Sequence, residues 1–459
     1  MLGAETEINI MKIHFLGGVG TVTGAKYLLE TKKAKILVDC GMIQGSREDE
    51  EKNYEDFPFN PSEIDFLLIT HAHIDHTGLI PKLYKDGFRG KIIATPPTLD
   101  LVRLMLYDSQ NIIQRNAFKQ GKQPFYFRKD VEESLKLVET LEYRKKKKLI
   151  DEVYLTFQDA GHILGSCIIE IYAEGKKIVF SGDLGNAPMP LLNEPAKITK
   201  ADYIVTESTY GDRVHENTIA RKEALENVIE NTFNKKGVLM IPSLAIERTQ
   251  ELLYELNDLV ENDRIPDMPI FIDSPMAIEA TGIYKKHSKY FNLKATNLIK
   301  TGDDLFNFPG LTLTKTVVQS KSINKVAAPK IIIAGSGMST GGRILFHEKM
   351  YLPEPNNTLL LINFQVKGTL GRIISEGVKN IRIFNEPVSV RANIKSIEGY
   401  SSHADQTALY KWLANFSKPV KNIFTVHGEK EASKALIQKI KDHLGLPASL
   451  PKPGDVVEL

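Results

Sequence analysis

Ile69-Thr70-His71-Ala72-His73-Ile74-Asp75-His76-Thr77-Gly78 places three histidines and an aspartate within six positions. The run ahead of it, Phe66-Leu67-Leu68-Ile69, has the apolar character of a buried strand. Behind it, Thr77-Gly78 turns into Leu79-Ile80-Pro81-Lys82-Leu83, which reads as a helix start. The cluster therefore belongs on the loop at a strand's C-terminal end, where α/β sheets usually place their chemistry. Neutral imidazole binds zinc and similar cations, and a carboxylate beside it supplies charge. His71 and His73 alternate, so both reach one ion. Asp75 and His76 lie further along the turn and reach a second. The bland alternative is a chance histidine cluster on a solvated loop, and the partners found further along the chain argue against it.

Upstream, Lys12-Ile13-His14-Phe15-Leu16 and Ala25-Lys26-Tyr27-Leu28-Leu29-Glu30 read as strands joined by a glycine turn. Lys35-Ile36-Leu37-Val38-Asp39-Cys40-Gly41 reads as a buried strand ending in a carboxylate. Asp39 is either a strand-end cap or a partner that fixes the second nitrogen of a metal histidine. Residues 97–150 look helical and irregular. The basic run Arg144-Lys145-Lys146-Lys147-Lys148 reads as a solvated face in preference to a nucleic-acid patch. Further on, His162, Asp183 and Glu207 each follow or close a hydrophobic strand, as Asp39 and His71 do. One layout repeated five times predicts a shared rim.

From about residue 212 the pattern changes to alternating helix and strand. Helices are expected over 221–234 and 249–260, and strands at 237–243, 269–275 and 330–338. This is the pattern of a parallel-sheet domain. It reads as an insertion, because histidine-bearing strand ends resume at His403 and His427. The predicted division is 1–211 and 396–459 for one domain and 212–395 for the other. Met1 to Ile10 reads as a short extension.

Composition excludes several classes. Hydrophobic residues make up 42% and charged residues 25% of 459, an ordinary soluble balance. The net charge of +2 forces no polyanionic partner, so any nucleic-acid surface is a local patch. Two cysteines, Cys40 and Cys167, build no disulfide framework and fit a reducing, cytoplasmic setting. No run of about 18 apolar residues predicts a membrane span.

The combined motifs resemble the β-CASP nucleases of the metallo-β-lactamase fold over essentially the whole chain. The best match is the short bacterial and archaeal ribonucleases related to the nuclease subunit of the cleavage and polyadenylation specificity factor. The resemblance implies an α/β fold, a metallo-β-lactamase αββα sandwich with an inserted β-CASP domain. It also implies two zinc ions per chain, one on His71, His73 and His162, the other on Asp75, His76 and His427, with Asp183 bridging them. Asp39 matches the first family motif, and Glu207, His403 and His427 match motifs A, B and C. His403 then donates the proton to the leaving oxygen, and Glu207 orients it. The competing reading of His403 is a further metal ligand or a structural histidine.

Single-stranded RNA is the implied substrate, cut internally, with 5′-exonuclease action alongside. Ser336, Gly337, Arg372 and Ser402 are candidate RNA contacts, with Lys367 and Arg248 beside them. The stretch Asn363-Phe364-Gln365-Val366-Lys367 departs from the commoner glycine–tyrosine–glutamine form. The resemblance admits a homodimer as well as a monomer. Two other classes compete: a small-molecule hydrolase of the same fold, and an inert RNA-binding scaffold. The first lacks the insertion and the Glu207/His403 pair, and the second requires missing ligands. A DNA-directed β-CASP nuclease is the closer rival, and there motif C is apolar where this chain has His427. His14, His215, His287, His347 and His443 read as structural.

Overall fold

In strand Lys35–Val38, Ile36 and Val38 point one way and Leu37 the other, and all three are fully buried. The same alternation runs through Phe66–Leu68. A strand buried on both faces has to lie inside a layered sandwich. The computed structural model describes residues 10–215, 220–363, 365–366, 368–417 and 419–459. It shows two seven-stranded sheets sharing one core in the first of two compact units.

The first sheet runs in the order Val456–Glu458, Lys12–Gly17, Lys26–Glu30, Lys35–Val38, Phe66–Leu68, Lys91–Ala94, Val138–Thr140. It is antiparallel as far as Lys35–Val38 and parallel beyond. The second runs Ala448–Ser449, Asn422–Val426, Tyr203–Glu207, Lys176–Phe180, Cys167–Ala173, Val153–Asp159, Lys146–Ile150. Phe15, Ile36, Val38 and Leu68 from one sheet pack with Phe157, Ile169, Phe180, Val205 and Phe424 from the other. Truncating a ring such as Phe157 to alanine is expected to cost about 3–5 kcal/mol. Helices Gln406–Leu413 and Lys430–Leu444 cover the outer face of the second sheet, with Leu409, Trp412, Leu436 and Ile440 on Ile168, Val179, Ile204 and Ile423.

Residues 97–150 are more regular than the sequence suggests. They hold most of the 24-residue helix Pro96–Lys119, and also strands Val138–Thr140 and Lys146–Ile150. Lysines hid the second of these, for it is the edge of its sheet. Lys147 bonds Glu139 at 2.9 Å, Lys148 pairs with Asp151 at 2.7 Å, and Lys146 lies 4.1 Å from the Tyr154 ring centroid. Charged side chains on an edge strand discourage pairing with another chain. The solvated-face reading of this run therefore has a structural reason.

The second unit covers 188–193 and 215–402, and the first covers 1–187, 194–214 and 403–459. The crossings thus fall at Val214 and His403 rather than at the predicted 211 and 396, and a short loop near 190 changes unit. The second unit holds a wholly parallel six-stranded sheet, in the order Leu311–Leu313, Ile270–Asp273, Lys330–Ala334, Val238–Pro242, Thr358–Leu361, Asn393–Ser396. Val238–Pro242, Lys330–Ala334 and Thr358–Leu361 are buried along their whole length, as a sheet covered on both faces requires. Helix Pro275–Lys286 begins at Ser274, whose hydroxyl accepts the Ala277 N–H. The proposed extension before Met11 lies outside the described residues except Ile10.

Candidate metal centre

Six strands of the first unit deliver the expected rim. Asp39 follows Lys35–Val38, His71 follows Phe66–Leu68, and His162 follows Val153–Asp159. Asp183 follows Lys176–Phe180, Glu207 ends Tyr203–Glu207, and His427 follows Asn422–Val426. The tight fit requires glycine at 185, where a Cβ would lie 2.1 Å from the Gly161 carbonyl oxygen.

Three imidazole nitrogens converge first. His71 Nε2 lies 3.0 Å from His73 Nδ1, and His162 Nε2 lies 3.2 Å from that same atom. A second set gathers beside them: His76 Nε2 is 3.8 Å, and His427 Nε2 3.6 Å, from Asp75 Oδ2. Asp183 belongs to both sets. Its Oδ2 is 3.5 Å from His71 Nε2 and His76 Nε2, and 3.7 Å from His162 Nε2 and His427 Nε2. Both Asp183 oxygens and His76 Nε2 are buried with no hydrogen-bond partner. Buried polar atoms are normally satisfied, so such orphans call for an explanation. Nitrogen and carboxylate donors in groups of three and four are what a zinc-type cation takes. The donor set fits two such ions.

The surrounding groups fix tautomers. Asp39 Oδ2 lies 2.7 Å from His76 Nδ1, and its two oxygens accept the Thr70 N–H and Thr70 hydroxyl at 2.8 Å each. Thr70 Oγ1 also stands 3.0 Å from His71 Nδ1. Thr70 was missed in the sequence, although its place between strand end and first histidine was the available signal.

Burial holds the His71 imidazole well below its ordinary pKa, helped by His76. It takes His73 to about 4, against the opposing pull of Asp75 and Asp183. Both are therefore neutral near pH 7, the form that ligates. At His76 burial is outweighed by Asp183 and Asp39, and the pKa goes well up. Burial would raise the Asp183 pKa, but His427, His76 and His71 hold it well below the usual carboxylate range.

His403 stands beside this set. Its Nδ1 is 3.2 Å from Glu207 Oε2 and 3.8 Å from Asp183 Oδ2. Glu207 is fixed in turn, its Oε1 accepting the Leu184 N–H at 2.5 Å. Burial opposes charge on His403, yet Glu207, through charge and hydrogen bond, and then Asp183 raise its pKa. The Tyr210 ring meets that of His403 edge-on at 6.0 Å, a neighbour sequence reasoning did not single out.

Three family profiles match the chain. The metallo-beta-lactamase superfamily domain covers residues 28–205, the Beta-Casp domain 249–374, and the Zn-dependent metallo-hydrolase RNA specificity domain 387–451. Ribonuclease TTHA0252 of Thermus thermophilus is 37% identical over 426 residues, 93% of this chain and 95% of that one. The chain belongs to the β-CASP family of metallo-β-lactamase-fold hydrolases. An RNase J-like protein of Methanocaldococcus jannaschii is 31% identical over 98% of this β-CASP chain and 100% of its own length. Transcription termination factor FttA of Methanosarcina mazei is 32% identical over 92% of this chain and 67% of its own. A crystal structure of a protein of unknown function from Enterococcus faecalis superposes with a TM-score of 0.58. It covers 98% of this chain and 100% of its own, and at 11% identity the likeness is one of fold.

The four candidate RNA contacts all fall in the second, β-CASP-bearing unit. The Ser336 N–H donates to the Gly341 carbonyl at 3.2 Å, and its hydroxyl meets Thr340 Oγ1 at 3.0 Å. The expectation that this amide holds a phosphate therefore fails at Ser336, because the loop closes on itself. Gly337 has to be glycine, since a Cβ would sit 2.7 Å from Asn363 Nδ2. Arg372 is half-exposed and pairs with Glu376 at 2.7 Å, one helical turn on. Ser402 is buried. Arg248 is buried against Glu251 at 2.7 Å, which makes it a packing residue rather than a phosphate contact. Lys367 lies outside the described residues.

Proposed function

We propose that this protein is a zinc-dependent ribonuclease that hydrolyses single-stranded RNA at internal sites, with 5′-exonuclease action alongside, in RNA processing or decay. One observation carries the reading: Asp183 Oδ2 stands at 3.5–3.7 Å from a nitrogen of each of four histidines, two in each ligand set. The ribonuclease names of the relatives support RNA as the polymer.

Two zinc ions held by His71, His73, His162 and by Asp75, His76, His427, with Asp183 between, would supply Lewis acidity and a water acidified toward pH 7. The chain's own residues do the rest. Asp39 and Thr70 hold the imidazoles of His76 and His71 so that their Nε2 atoms face the centre. Hydrolysis requires water oxygen to bond to phosphorus while the bond from phosphorus to the leaving ribose oxygen breaks. That oxygen needs a proton. His403, with Nδ1 turned to Glu207, gives it from its other nitrogen. A raised pKa keeps the donor charged near neutrality. Cys40 and Cys167 are buried free thiols, and burial pushes Cys40 up to about 12, so neither competes as a nucleophile. Inert thiols fit the cytoplasmic setting.

The test uses purified protein on end-labelled and internally labelled single-stranded RNA, with and without chelator, beside a circular RNA and duplex DNA. Chelator-sensitive opening of the circle is expected. A circle left intact while its linear form is degraded would remove the endonuclease reading. Equal cleavage of duplex DNA would remove RNA as the substrate.

A further inference from the structure

Arg221, Glu255 and Tyr400 form a buried knot inside the second unit. Arg221 Nε donates to Glu255 Oε1 at 2.8 Å, and Nη1 donates to the Gly399 carbonyl at 3.0 Å. The guanidinium carbon lies 4.8 Å from the Tyr400 ring centroid. The Tyr400 hydroxyl donates to Glu255 Oε2. Tyr400 is fully buried, and Arg221 and Glu255 are 6% and 5% exposed. One ion pair thus grips two successive residues of the turn Glu398–Tyr400 by carbonyl, ring and hydroxyl.

Such a knot is a poor device for stability alone. Buried ion pairs can often be exchanged for apolar residues without loss, and their best-attested use is to fix register. Beyond the gripped turn come Ser401, Ser402 and then His403. Three residues span at most about 10 Å, so fixing residue 400 narrows where His403 can be delivered. Downstream the chain is tied as well. Ala404 N–H donates to the Leu184 carbonyl at 2.8 Å, and His403 bridges Gly185.

We infer that Arg221, Glu255 and Tyr400 are positioning residues for His403, holding the upstream end of its strand so that the imidazole meets Glu207. The inference rests on the reading of His403 as proton donor. The knot acts through backbone, not by touching reacting atoms.

The experiment separates positioning from mere scaffolding by the leaving group. RNA needs a proton on its leaving oxygen. Bis(p-nitrophenyl) phosphate does not, because nitrophenolate leaves as the anion. Tyr400→Phe removes one hydroxyl. The triple variant Arg221→Met, Glu255→Leu, Tyr400→Phe removes the knot without stranding a buried charge. Both are measured as full chains on both substrates, with zinc content, beside His403→Ala. The triple variant should lose about 10- to 100-fold in kcat on RNA, the scale of a small misplacement of a catalytic group. Tyr400→Phe should lose less, with KM and zinc unchanged and nitrophenyl ester turnover kept. Equal losses on both substrates, or no loss on RNA, would overturn the inference. If His403→Ala itself depresses both substrates equally, the donor reading falls and this inference with it. If His403→Ala is selective for RNA and the knot variants keep full RNA turnover, only the positioning role falls.

Discussion

Asp39 Oδ2 stands 2.7 Å from Nδ1 of His76, a residue 37 positions later, and both side chains are almost wholly buried. The contact leaves Nε2 as the only ring nitrogen of His76 that can meet a cation. A carboxylate in this position fixes ring orientation and raises ligand basicity.

Asp39→Ala should therefore weaken metal binding by about 10- to 100-fold while leaving every direct ligand in place. Competition of the purified variant against a zinc-binding dye measures it. Unchanged affinity would reduce Asp39 to a strand-end cap, the alternative the sequence left open.

That ambiguity shows what a sequence can and cannot say. His71, His73, Asp75 and His76 announce themselves because four ligand types crowd one turn. His162, Asp183 and His427 were found because each follows a hydrophobic strand. The strands Leu311–Leu313 and Asn393–Ser396 were missed because short, half-exposed segments carry almost no periodicity. Lys146–Ile150 was missed because its lysines serve an edge. The Ser336 amide was misassigned because a glycine-rich stretch does not reveal where its own N–H groups are spent. The Arg221–Glu255–Tyr400 knot joins residues far apart in the chain, and nothing local in any of them signals it.

Removing metal should destabilise the first unit as well as abolish activity. Without cations, two buried Asp183 oxygens and His76 Nε2 remain unpaired. Ligands that bind only the folded state stabilise it by mass action, about 4 kcal/mol at a thousandfold excess over Kd. Chelation should thus lower the thermal midpoint, and added zinc should restore it. An unchanged midpoint with activity fully retained would sink the dinuclear site.

His403→Ala should lower turnover on RNA by about 10²–10⁴-fold, the usual contribution of a positioned acid. Metal content and RNA affinity should hardly move, since the imidazole is 3.8 Å from Asp183 and outside both ligand sets. Zinc lost in proportion to activity would make His403 a ligand.

Arg372 is joined to Glu376 by a half-exposed pair of the kind that contributes only about 0.3–0.5 kcal/mol on a helix. A phosphate can displace so weak a partner. Arg372→Ala should raise the apparent Kd for single-stranded RNA and flatten the salt dependence by about 0.7 in log–log slope, one phosphate's share. Titrations at several salt concentrations decide it. Parallel lines for wild type and variant would remove Arg372 from the RNA contacts.

Glu348 offers a test far from the metals. It is fully buried in helix Ile344–Tyr351, with Oε1 accepting from the Ser339 hydroxyl at 2.5 Å and Oε2 unpartnered. Burial raises its pKa from an ordinary 4.5 to about 7, against the opposing pull of the Ser339 bond. The folded protein therefore keeps this proton over a window in which the unfolded chain has released it. Stability changes with pH as the difference in protons bound, unfolded minus folded, and here that difference is negative. Stability from this group is thus full below pH 4.5 and lost progressively up to about pH 7, by about 3 kcal/mol in all. Glu348→Gln cannot ionise and escapes the loss. Denaturant unfolding of wild type and variant at pH 5 and pH 8 should show the variant gaining on wild type at the higher pH. A constant difference at the two pH values would mean that Glu348 titrates normally and that its burial does not hold the proton.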